Sequence, residues 1–194
     1  MSPNSQALKT RQRTIQYDGS IVYYDDLESM VFTVDNIINS ASKVCRFNGH
    51  TKFHYSNLRH MFMCSCICKE QDLKLACLLH DVHEVVIGDI VSPLGSWLST
   101  GWKCELDDLK HRLDKIIATQ FNCPELLDPE AKKLIKYYDT QMTNIEGRML
   151  LSNAEDHFDV PEISVKYLDY ESNARVIHNW KNKLKFLIRK QERV

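Results

Sequence analysis

The chain has few of the residues that interrupt regular structure, since its 194 residues include six glycines and five prolines. These residues do not gather into a linker, and we find no internal repeat and no low-complexity tract. The length suits one domain and is sufficient to bury a hydrophobic core. We therefore expect a polar N-terminal segment at residues 1–20 and one folded domain over residues 21–194.

The chain also lacks an excess of charge of either sign, because its 25 lysines and arginines nearly balance its 26 aspartates and glutamates. Without a broad basic surface, sequence-independent binding to a nucleic acid polymer is not expected. No apolar run approaches the roughly 20 residues of a membrane-spanning helix, and residues 1–20 lack the apolar core of a signal peptide. The composition therefore predicts a cytoplasmic protein with no nucleic acid or membrane partner.

Strand signals are weak, whereas the periodicity of helices recurs along the chain. The stretch TIQYDGSIVYY favours a short hairpin that turns at Asp18-Gly19. Apolar residues recur at three- and four-residue steps over residues 27–47, 56–70, 72–88, 104–121, 128–151 and 165–191. The sequence thus predicts an all-α protein, a single helical bundle with a short N-terminal β-hairpin.

The predicted helices carry local start and stop signals. Gly88 is expected to end the helix over residues 72–88. Asp128 as N-cap and Pro129 as the first helical residue are expected to begin the next-to-last helix. The stretch DIVSPLGSWLSTGW, residues 89–102, holds one proline and two glycines and is predicted to be a loop.

Three of the seven cysteines form the run CSCIC at positions 64, 66 and 68. Structural zinc sites space paired cysteines by two to four residues and need a second pair, which is missing here. The run is either a metal or redox cluster or a set of small reduced side chains within a helix. The spacing favours the second interpretation.

The stretch LLHDVHEVVIGD, residues 78–89, places five ionisable groups among apolar residues. Buried polar groups destabilise a fold unless something pairs with them, and a metal ion would pair with these. Adjacent helical residues such as His80 and Asp81 point about 100° apart, so both reach one ion only where a helix ends or turns. Imidazole and carboxylate together suit Zn, Mn, Fe or Co, but further ligands must come from elsewhere in the chain.

Two distant residues are candidates for those further ligands. His60 lies on the preceding predicted helix, and a short turn between antiparallel helices could bring it near His80. Its position alone favours a partly buried histidine bonded to a backbone carbonyl. Asp139 follows the apolar and aromatic residues LIKYY, and its carboxylate either faces solvent or points inward to a partner. Taken alone, the solvent-facing interpretation of Asp139 is preferred.

Together these residues resemble the HD-domain metal-dependent phosphohydrolases. LLHDVHEVVIGDIVSPL is similar to the LLHD-x-x-E-x-x-x-GD-x-x-x-P segment of the branch that acts on deoxynucleotides, and VDNIINSASKVCRFNGHTKFHYSNLRH is similar to the segment upstream of it. Within that branch, RFNGH and HDVHEVVIGD look most like the small phage enzymes that hydrolyse dATP. The resemblance covers residues 34–139 and implies an HD-domain helical bundle.

The resemblance implies a metal centre and its catalytic residues. His60, His80, Asp81 and Asp139 would be the ligands of one divalent transition metal ion, Zn, Co or Mn. Asp81 would thereby belong to the catalytic set. Glu84 would be the acid/base partner that handles the attacking water or the leaving 5′-oxygen.

The resemblance also implies substrate contacts. Arg46 would bind phosphate, Phe47 would pack against the base or shape the pocket, and Asp89 would approach the 3′-hydroxyl of the sugar. Pro93 would pack near C2′ and help to exclude ribose. For His83, contact with phosphate and a supporting position behind the metal ligands remain equal alternatives.

The triphosphate of dATP requires further cations, either Mg²⁺ or basic side chains. The candidates in this sequence are lysines that the pattern does not place, namely Lys43, Lys52, Lys132, Lys133 and Lys136. The sequence departs from the family at Arg59, where an acidic residue is common, and at Gly95 and Ser96, where a basic residue often follows Leu94. The distance in sequence from His60 to His80 is also short. The first two departures affect the expected phosphate contacts and leave the proposed ligands unchanged.

Three functions follow as hypotheses. The first is a dATP triphosphohydrolase that yields deoxyadenosine and triphosphate and depletes dATP during infection by a phage with a 2-aminoadenine genome. The second is a 5′-deoxynucleotidase that acts on monophosphates, and the third is an HD domain that binds nucleotide without turnover. The resemblance also implies a homo-oligomer. The apolar residues of the last predicted helix could belong to its interface or to the core, namely Tyr167, Tyr170, Val176, Trp180 and Leu184.

Overall fold

The computed structural model describes residues 12–97, 100–166 and 168–192. Within these ranges the chain is mainly helical, and the strands that occur there form one antiparallel hairpin. This confirms the predicted all-α class with a short N-terminal β-hairpin. Of the polar segment predicted at residues 1–20, residues 1–11 lie outside the described residues. No helix in the described ranges is both long and apolar enough to cross a membrane.

The hairpin turns where its sequence predicts. Strand β1 (Arg13–Ile15) pairs with β2 (Ile21–Tyr23) in antiparallel register. Gly19 has a φ of 83°, which suits glycine, and the Asp18 carboxylate accepts a hydrogen bond from the Ser20 amide at 2.9 Å. Asn36 donates to the same carboxylate at 2.9 Å, so the turn is tied to the first helix.

The helices follow in this order: α1 (Val34–Ala41), α2 (Asn57–Ile67), α3 (Lys74–Leu79), α4 (Glu84–Ile87), α5 (Ser92–Trp97), α6 (Thr100–Gln120), α7 (Pro129–Leu150) and α8 (Asn173–Gln191). Helix α2 lies at the centre and packs against α3, α7 and α8. It is buried on most of its faces, with polar as well as apolar residues inside, because other helices surround it.

Two predicted helices are shorter than expected at their N-terminal ends. The helix predicted over residues 27–47 begins only at Val34, because the Thr33 side chain accepts a hydrogen bond from the Asn36 amide and caps it there. It also ends early, at Ala41. The last helix begins at Asn173 rather than at residue 165, with Ser172 in extended backbone conformation at the N-cap.

Two other predictions fail between residues 72 and 102. The predicted helix over residues 72–88 is interrupted after α3, and residues 80–83 form a turn before α4. The loop predicted over residues 89–102 was also wrong, since it contains α5 and the first residues of α6. Pro93 near the start of α5 is compatible with a helix, because the first turn needs no amide donors.

The apolar face of α8 belongs to the core. Trp180 is fully buried, and Val176 and Leu184 are each 3% exposed. Tyr170 precedes the helix and is exposed, with its ring edge-on to Phe53. Tyr167 lies outside the described residues. Within the described part of the chain, the core interpretation therefore holds for the three helical residues.

Helix α7 is capped as predicted. The Asp128 carboxylate accepts a hydrogen bond from the Ala131 amide at 2.7 Å, and Pro129 occupies the first turn. Asp139 and Glu146 lie two turns apart on this helix and therefore share the face that packs towards α2.

Candidate metal centre

Four polar side chains from three separate segments meet between α2, α3 and α7. His60 lies in the first turn of α2, His80 and Asp81 lie in the turn after α3, and Asp139 lies in the middle of α7. Their ligand atoms all lie within 4.8 Å of one another. His60 Nε2 is 3.1 Å from Asp139 Oδ1, and His80 Nε2 is 3.2 Å from Asp81 Oδ2. Ligand atoms about 2 Å from one ion are roughly 3–4 Å apart, so these distances fit a single divalent cation.

The turn after α3 allows neighbouring residues to reach the same point. The amide of Val82 donates to the carbonyl of Leu79, and the amide of Glu84 donates to that of Asp81, both at 3.0 Å. These turns of three residues each replace the regular helix, and His80 Nε2 and Asp81 Oδ2 lie 3.2 Å apart within them. The interruption of the predicted helix therefore lies at the candidate centre.

Each histidine is anchored through the nitrogen that faces away from the centre. His60 Nδ1 donates to Glu146 Oε1 at 2.8 Å, and His80 Nδ1 donates to the Cys77 carbonyl at 2.9 Å. Because Nδ1 makes the anchoring contact in each ring, Nε2 is the atom that faces the centre, where His60 Nε2 lies 3.1 Å from Asp139 Oδ1. Histidines that bind metal ions in proteins are commonly oriented in this way.

The surroundings of His80 Nε2 indicate whether a cation fits this site. This atom is buried and has no hydrogen-bond partner within the described ranges. Its contact with Asp81 Oδ2 is an ion-pair approach without hydrogen-bond geometry. Burial lowers the pKa of His80, but its interactions with Asp81 and the charge of Asp139 together outweigh burial and raise that pKa above its ordinary value. A proton and a metal ion therefore compete for this nitrogen, and the donor set suits Zn, Co or Mn.

Negative charge exceeds positive charge around these ligands. The carboxylates grouped here are Asp81, Glu84, Asp89, Asp139 and Glu146.

The side-chain cations beside them in the described structure are Arg46 and Lys136. Arg46 lies 3.5 Å from Glu146, 3.7 Å from Asp81 and 3.8 Å from Asp89. Lys136 Nζ lies 2.6 Å from Asp139 Oδ2. Two such cations balance only part of the charge that five ionised carboxylates would carry, so protons or a divalent ion must offset the rest.

Glu84 is the carboxyl most strongly affected. It is buried, and its Oε2 has no hydrogen-bond partner in the described residues. Burial, followed by the charges of Asp81 and Asp89, raises the pKa of Glu84 to about 10. Its side chain therefore holds a proton at neutral pH when no other cation is present, which is the property required of a general acid.

Arg46 and Phe47 lie on a turn of unusual backbone conformation. Phe47, Asn48 and Gly49 have φ values of 53°, 52° and 79°, and such conformations are costly for residues other than glycine. Arg46 Nη2 donates to Thr143 Oγ1 at 3.0 Å. The turn thus holds a buried guanidinium beside the carboxylates.

The remaining residues that were predicted to contact substrate differ in their burial and in their contacts. Phe47 is half-buried and contacts Phe158 edge-on, with ring centroids 6.0 Å apart. Asp89 follows Gly88, whose φ of 80° ends α4 as predicted, and lies within ion-pair distance of Arg46. Burial raises the pKa of Asp89 despite the charge of Arg46. Pro93 is exposed in α5.

His83 has a partner that the sequence did not suggest. Its Nδ1 lies 2.9 Å from the carboxylate of Asp114 on α6. The ring is buried, and one ligand atom of His83 lies within 4.8 Å of those of Asp81 and Glu84. The Asp114 contact favours a supporting position over a phosphate contact through Nδ1.

The lysines named from sequence differ in the residues that they contact. Lys136 lies at the centre, whereas Lys43 contacts Asn39, Lys52 contacts the Met149 carbonyl and Lys133 contacts Glu130. Lys132 is half-buried on α7.

Arg59, the departure from the family pattern, lies above the ring of Tyr55. Its Nε is 3.5 Å from Glu171 Oε2. These contacts occupy its side chain with residues outside the ligand set.

Two residues at the centre were missed by sequence reasoning. Glu146 is fully buried and anchors His60, and its position two turns after Asp139 was the signal available. Cys64 is buried one turn after His60 and lies against it. The other members of the cysteine run diverge, since Cys66 is exposed and Cys68 contacts Glu70. The run is therefore not one cluster.

These features define a candidate divalent-metal centre in an all-α domain. No protein-family model matches the chain. It is 28% identical over 134 residues to the uncharacterized protein YfdR of Escherichia coli. This match covers 69% of this chain and 70% of that protein. It is also 28% identical over 142 residues to an uncharacterized protein of Rhodobacter capsulatus, with the same coverage of each chain. The functional argument therefore rests on the site.

Proposed function

We propose that the chain is a divalent-metal-dependent phosphohydrolase of deoxynucleotides that hydrolyses dATP to deoxyadenosine and triphosphate. The observation that carries the proposal is the convergence of two anchored imidazoles, His60 and His80, with two carboxylates, Asp81 and Asp139. The resemblance to HD-domain phosphohydrolases supports it, since these are the four ligands which that resemblance implies.

The four ligands would hold a divalent transition metal ion, Zn, Co or Mn. When bound, such an ion polarises a phosphoryl oxygen and lowers the pKa of water in its coordination sphere. Arg46 then binds the α-phosphate. Its charge is balanced by Asp81, Asp89 and Glu146 in this structure, and a cation on Asp81 would leave more of that charge to attract phosphate.

Glu84 manages the protons of the reaction. Water attacks the α-phosphorus, and the bond from that phosphorus to the 5′-oxygen breaks. Protonated Glu84 donates its proton to the 5′-oxygen, so that deoxyadenosine leaves as a neutral alcohol. The resulting carboxylate then recovers a proton from the attacking water. Burial, the largest cause of the raised pKa of Glu84, supports the first of these transfers, because it persists when an ion balances Asp81.

The other expected contacts concern the nucleoside and the remaining phosphates. Phe47, backed by Phe158, packs against adenine, while Asp89 accepts a hydrogen bond from the 3′-hydroxyl and Pro93 excludes a 2′-hydroxyl. Lys136, together with Mg²⁺, neutralises the outer phosphates. In a phage-infected cell this activity would deplete dATP in favour of its 2-amino analogue. The protein would act in the cytoplasm as a homo-oligomer.

A 5′-deoxynucleotidase is the second candidate, and the scarcity of cations favours it. Beside the ligands, the described structure offers Arg46 and Lys136. A monophosphate carries about two negative charges and requires fewer cations than a triphosphate does. A domain that binds nucleotide without turnover ranks last, because both Glu84 and Asp139 are present and lie at the site.

A product assay tests the proposal. The purified chain is incubated with each dNTP, dAMP or ATP and with Mg²⁺, Mn²⁺, Co²⁺ or Zn²⁺, and the products are separated by chromatography. We expect deoxyadenosine and intact triphosphate from dATP, and we expect loss of this activity in Asp81→Ala. Asp72→Ala, which removes an exposed carboxylate remote from the ligand set, is the matched control.

The other outcomes would support the alternative functions. Turnover of dAMP without turnover of dATP would assign the protein to the nucleotidases. No turnover with any ion would contradict both enzymatic hypotheses and leave the binding domain.

A further inference from the structure

Thr143 lies between the candidate ligand Asp139 and the guanidinium of Arg46. It follows Asp139 by one turn of α7, so the two side chains share a face of the helix. Its hydroxyl accepts a hydrogen bond from Arg46 Nη2 at 3.0 Å and donates to Asp139 Oδ1 at 3.4 Å. Donation to Asp139 turns the O–H bond away from Arg46 and leaves a lone pair of the oxygen to face the guanidinium.

This arrangement differs from that of an ordinary helical threonine. Such a hydroxyl commonly bonds the backbone carbonyl one turn earlier in its own helix, as Thr119 does with Lys115 on α6 at 2.9 Å. The Thr143 hydroxyl instead contacts two side chains of the candidate centre, one of which comes from the distant turn that holds Arg46. Its contacts therefore join elements that are 97 residues apart in sequence.

The Thr143 contact gives the Arg46 side chain its orientation. The three carboxylates beside Arg46 approach it at 3.5 to 3.8 Å, and its buried Nε has no hydrogen-bond partner among the described residues. Coulomb attraction depends on distance, whereas a hydrogen bond weakens steeply when its donor is misdirected. Within the described ranges, Thr143 accepts the one hydrogen bond that the Arg46 side chain makes.

The orientation of one nitrogen sets that of the others. Because the guanidinium is planar and rigid, holding Nη2 on Thr143 also fixes the direction of Nη1. Arg46 Nη1 lies 3.7 Å from Asp81 Oδ2, which places this donor on the side of the candidate metal ligands. Arginine recognises phosphate through this fixed fork of N–H groups, so its direction matters as well as its charge.

We propose that Thr143 is a positioning residue of the phosphate site, which acts by holding the Arg46 guanidinium in place. This inference rests on the proposed function, in which Arg46 binds the phosphate of a deoxynucleotide. Thr143 acts through Arg46 and not by contact with the substrate. Loss of its hydroxyl should therefore weaken phosphate binding and leave the four metal ligands in place.

Thr143→Val tests this role, because valine keeps the shape of threonine and removes the hydroxyl. The full chain is loaded with Zn²⁺, and inorganic triphosphate, a product of the proposed reaction, is titrated by calorimetry. We expect the affinity for triphosphate to fall about tenfold, the effect typical of a lost hydrogen bond to a charged group. The kcat/KM for dATP should fall by a similar factor.

Two further variants serve as controls. Thr143→Ser retains the hydroxyl and should restore most of the affinity for triphosphate. Thr140→Val changes an exposed threonine on the same helix and should bind triphosphate as the wild type does. The contact between Thr143 and Asp139 is long for an O–H···O hydrogen bond, so elemental analysis should find the same amount of bound zinc in Thr143→Val and the wild type.

A double-mutant cycle separates positioning of Arg46 from a general structural effect. Arg46→Lys keeps the positive charge but lacks the Nη2 donor that Thr143 holds. In the Arg46→Lys background, Thr143→Val should therefore cause little further loss of triphosphate affinity. An equal loss in both backgrounds would overturn the inference, because the effect of Thr143 would not pass through Arg46.

The remaining outcomes distinguish this inference from the proposed function. Unchanged triphosphate affinity in Thr143→Val would overturn the positioning role and leave the proposed function standing. Loss of bound zinc from that variant would also overturn it, by placing the effect on Asp139. No binding of triphosphate by the zinc-loaded wild type would contradict the hydrolysis of dATP and the inference with it.

Discussion

At the scale of single residues, Glu146 shows how the candidate centre depends on a side chain outside the four-ligand set. It is fully buried, accepts the proton of His60 Nδ1 and lies 3.5 Å from Arg46 Nε. A carboxylate in this position fixes the tautomer and orientation of the ring and increases the basicity of Nε2. It also holds the Arg46 guanidinium beside the ligands.

We therefore predict that Glu146→Gln weakens metal binding by about 10- to 100-fold, as expected for the loss of a charged partner behind a ligand histidine. The amide has nearly the same shape, so helix content should remain. Calorimetric titration with Zn²⁺ measures the affinity, and circular dichroism measures the helix content. Glu130→Gln is the control, because Glu130 is an exposed residue on the same helix paired with Lys133. Unchanged affinity in Glu146→Gln would remove this role.

Residue-level prediction from sequence was uneven for a physical reason. His60, His80, Asp81 and Asp139 could be named because the motif of the family that the sequence resembles gives their order and spacing. Glu146 could not, since helical spacing defines the face it occupies but not the helix against which that face packs. The same applies to Asp114, which reaches His83 from a helix 31 residues further along the chain.

At the scale of secondary-structure elements, features with local causes were predicted and features with tertiary causes were not. The Asp18-Gly19 hairpin and the Asp128 cap depend on contacts within a few residues, and both are confirmed. The break at residues 80–83 lies in a strongly apolar, helix-like stretch, and it places His80 and Asp81 at a centre whose other ligands are remote in sequence. Periodicity alone does not contain that information.

The cap of α7 yields a prediction at this scale. Asp128→Ala removes the side-chain acceptor of the Ala131 amide and should destabilise the protein by about 1 kcal/mol. For a chain of this length that lowers the melting temperature by roughly 2–4 °C, measurable by thermal circular dichroism. Metal affinity should not change, because Asp139 lies about three turns beyond the cap.

Glu130→Ala is the matched control, since it changes an exposed carboxylate in the same turn and leaves the cap in place. A fall in metal affinity in Asp128→Ala, with an unaltered melting temperature, would contradict this account of the cap.

At the scale of the whole molecule, the candidate centre joins segments that are far apart in sequence. His60 belongs to α2, His80 and Asp81 to the turn after α3, and Asp139 to α7, and these helices pack around the central α2. An ion bound by all three segments exists only in the folded state. Its binding free energy therefore adds to the free energy of unfolding.

We predict that saturating the site with Zn²⁺ stabilises the fold and that a chelator reverses this. At a free ion concentration about 100 times the dissociation constant the gain is about 2.7 kcal/mol, which corresponds to a rise in melting temperature of roughly 5–10 °C. Thermal unfolding of the chelated and the zinc-loaded protein measures this rise. Asp81→Ala should melt at the same temperature in both conditions. An equal rise in that variant would mean that the ion binds elsewhere, for example at exposed Cys66, and that the three segments are not joined by a metal ion.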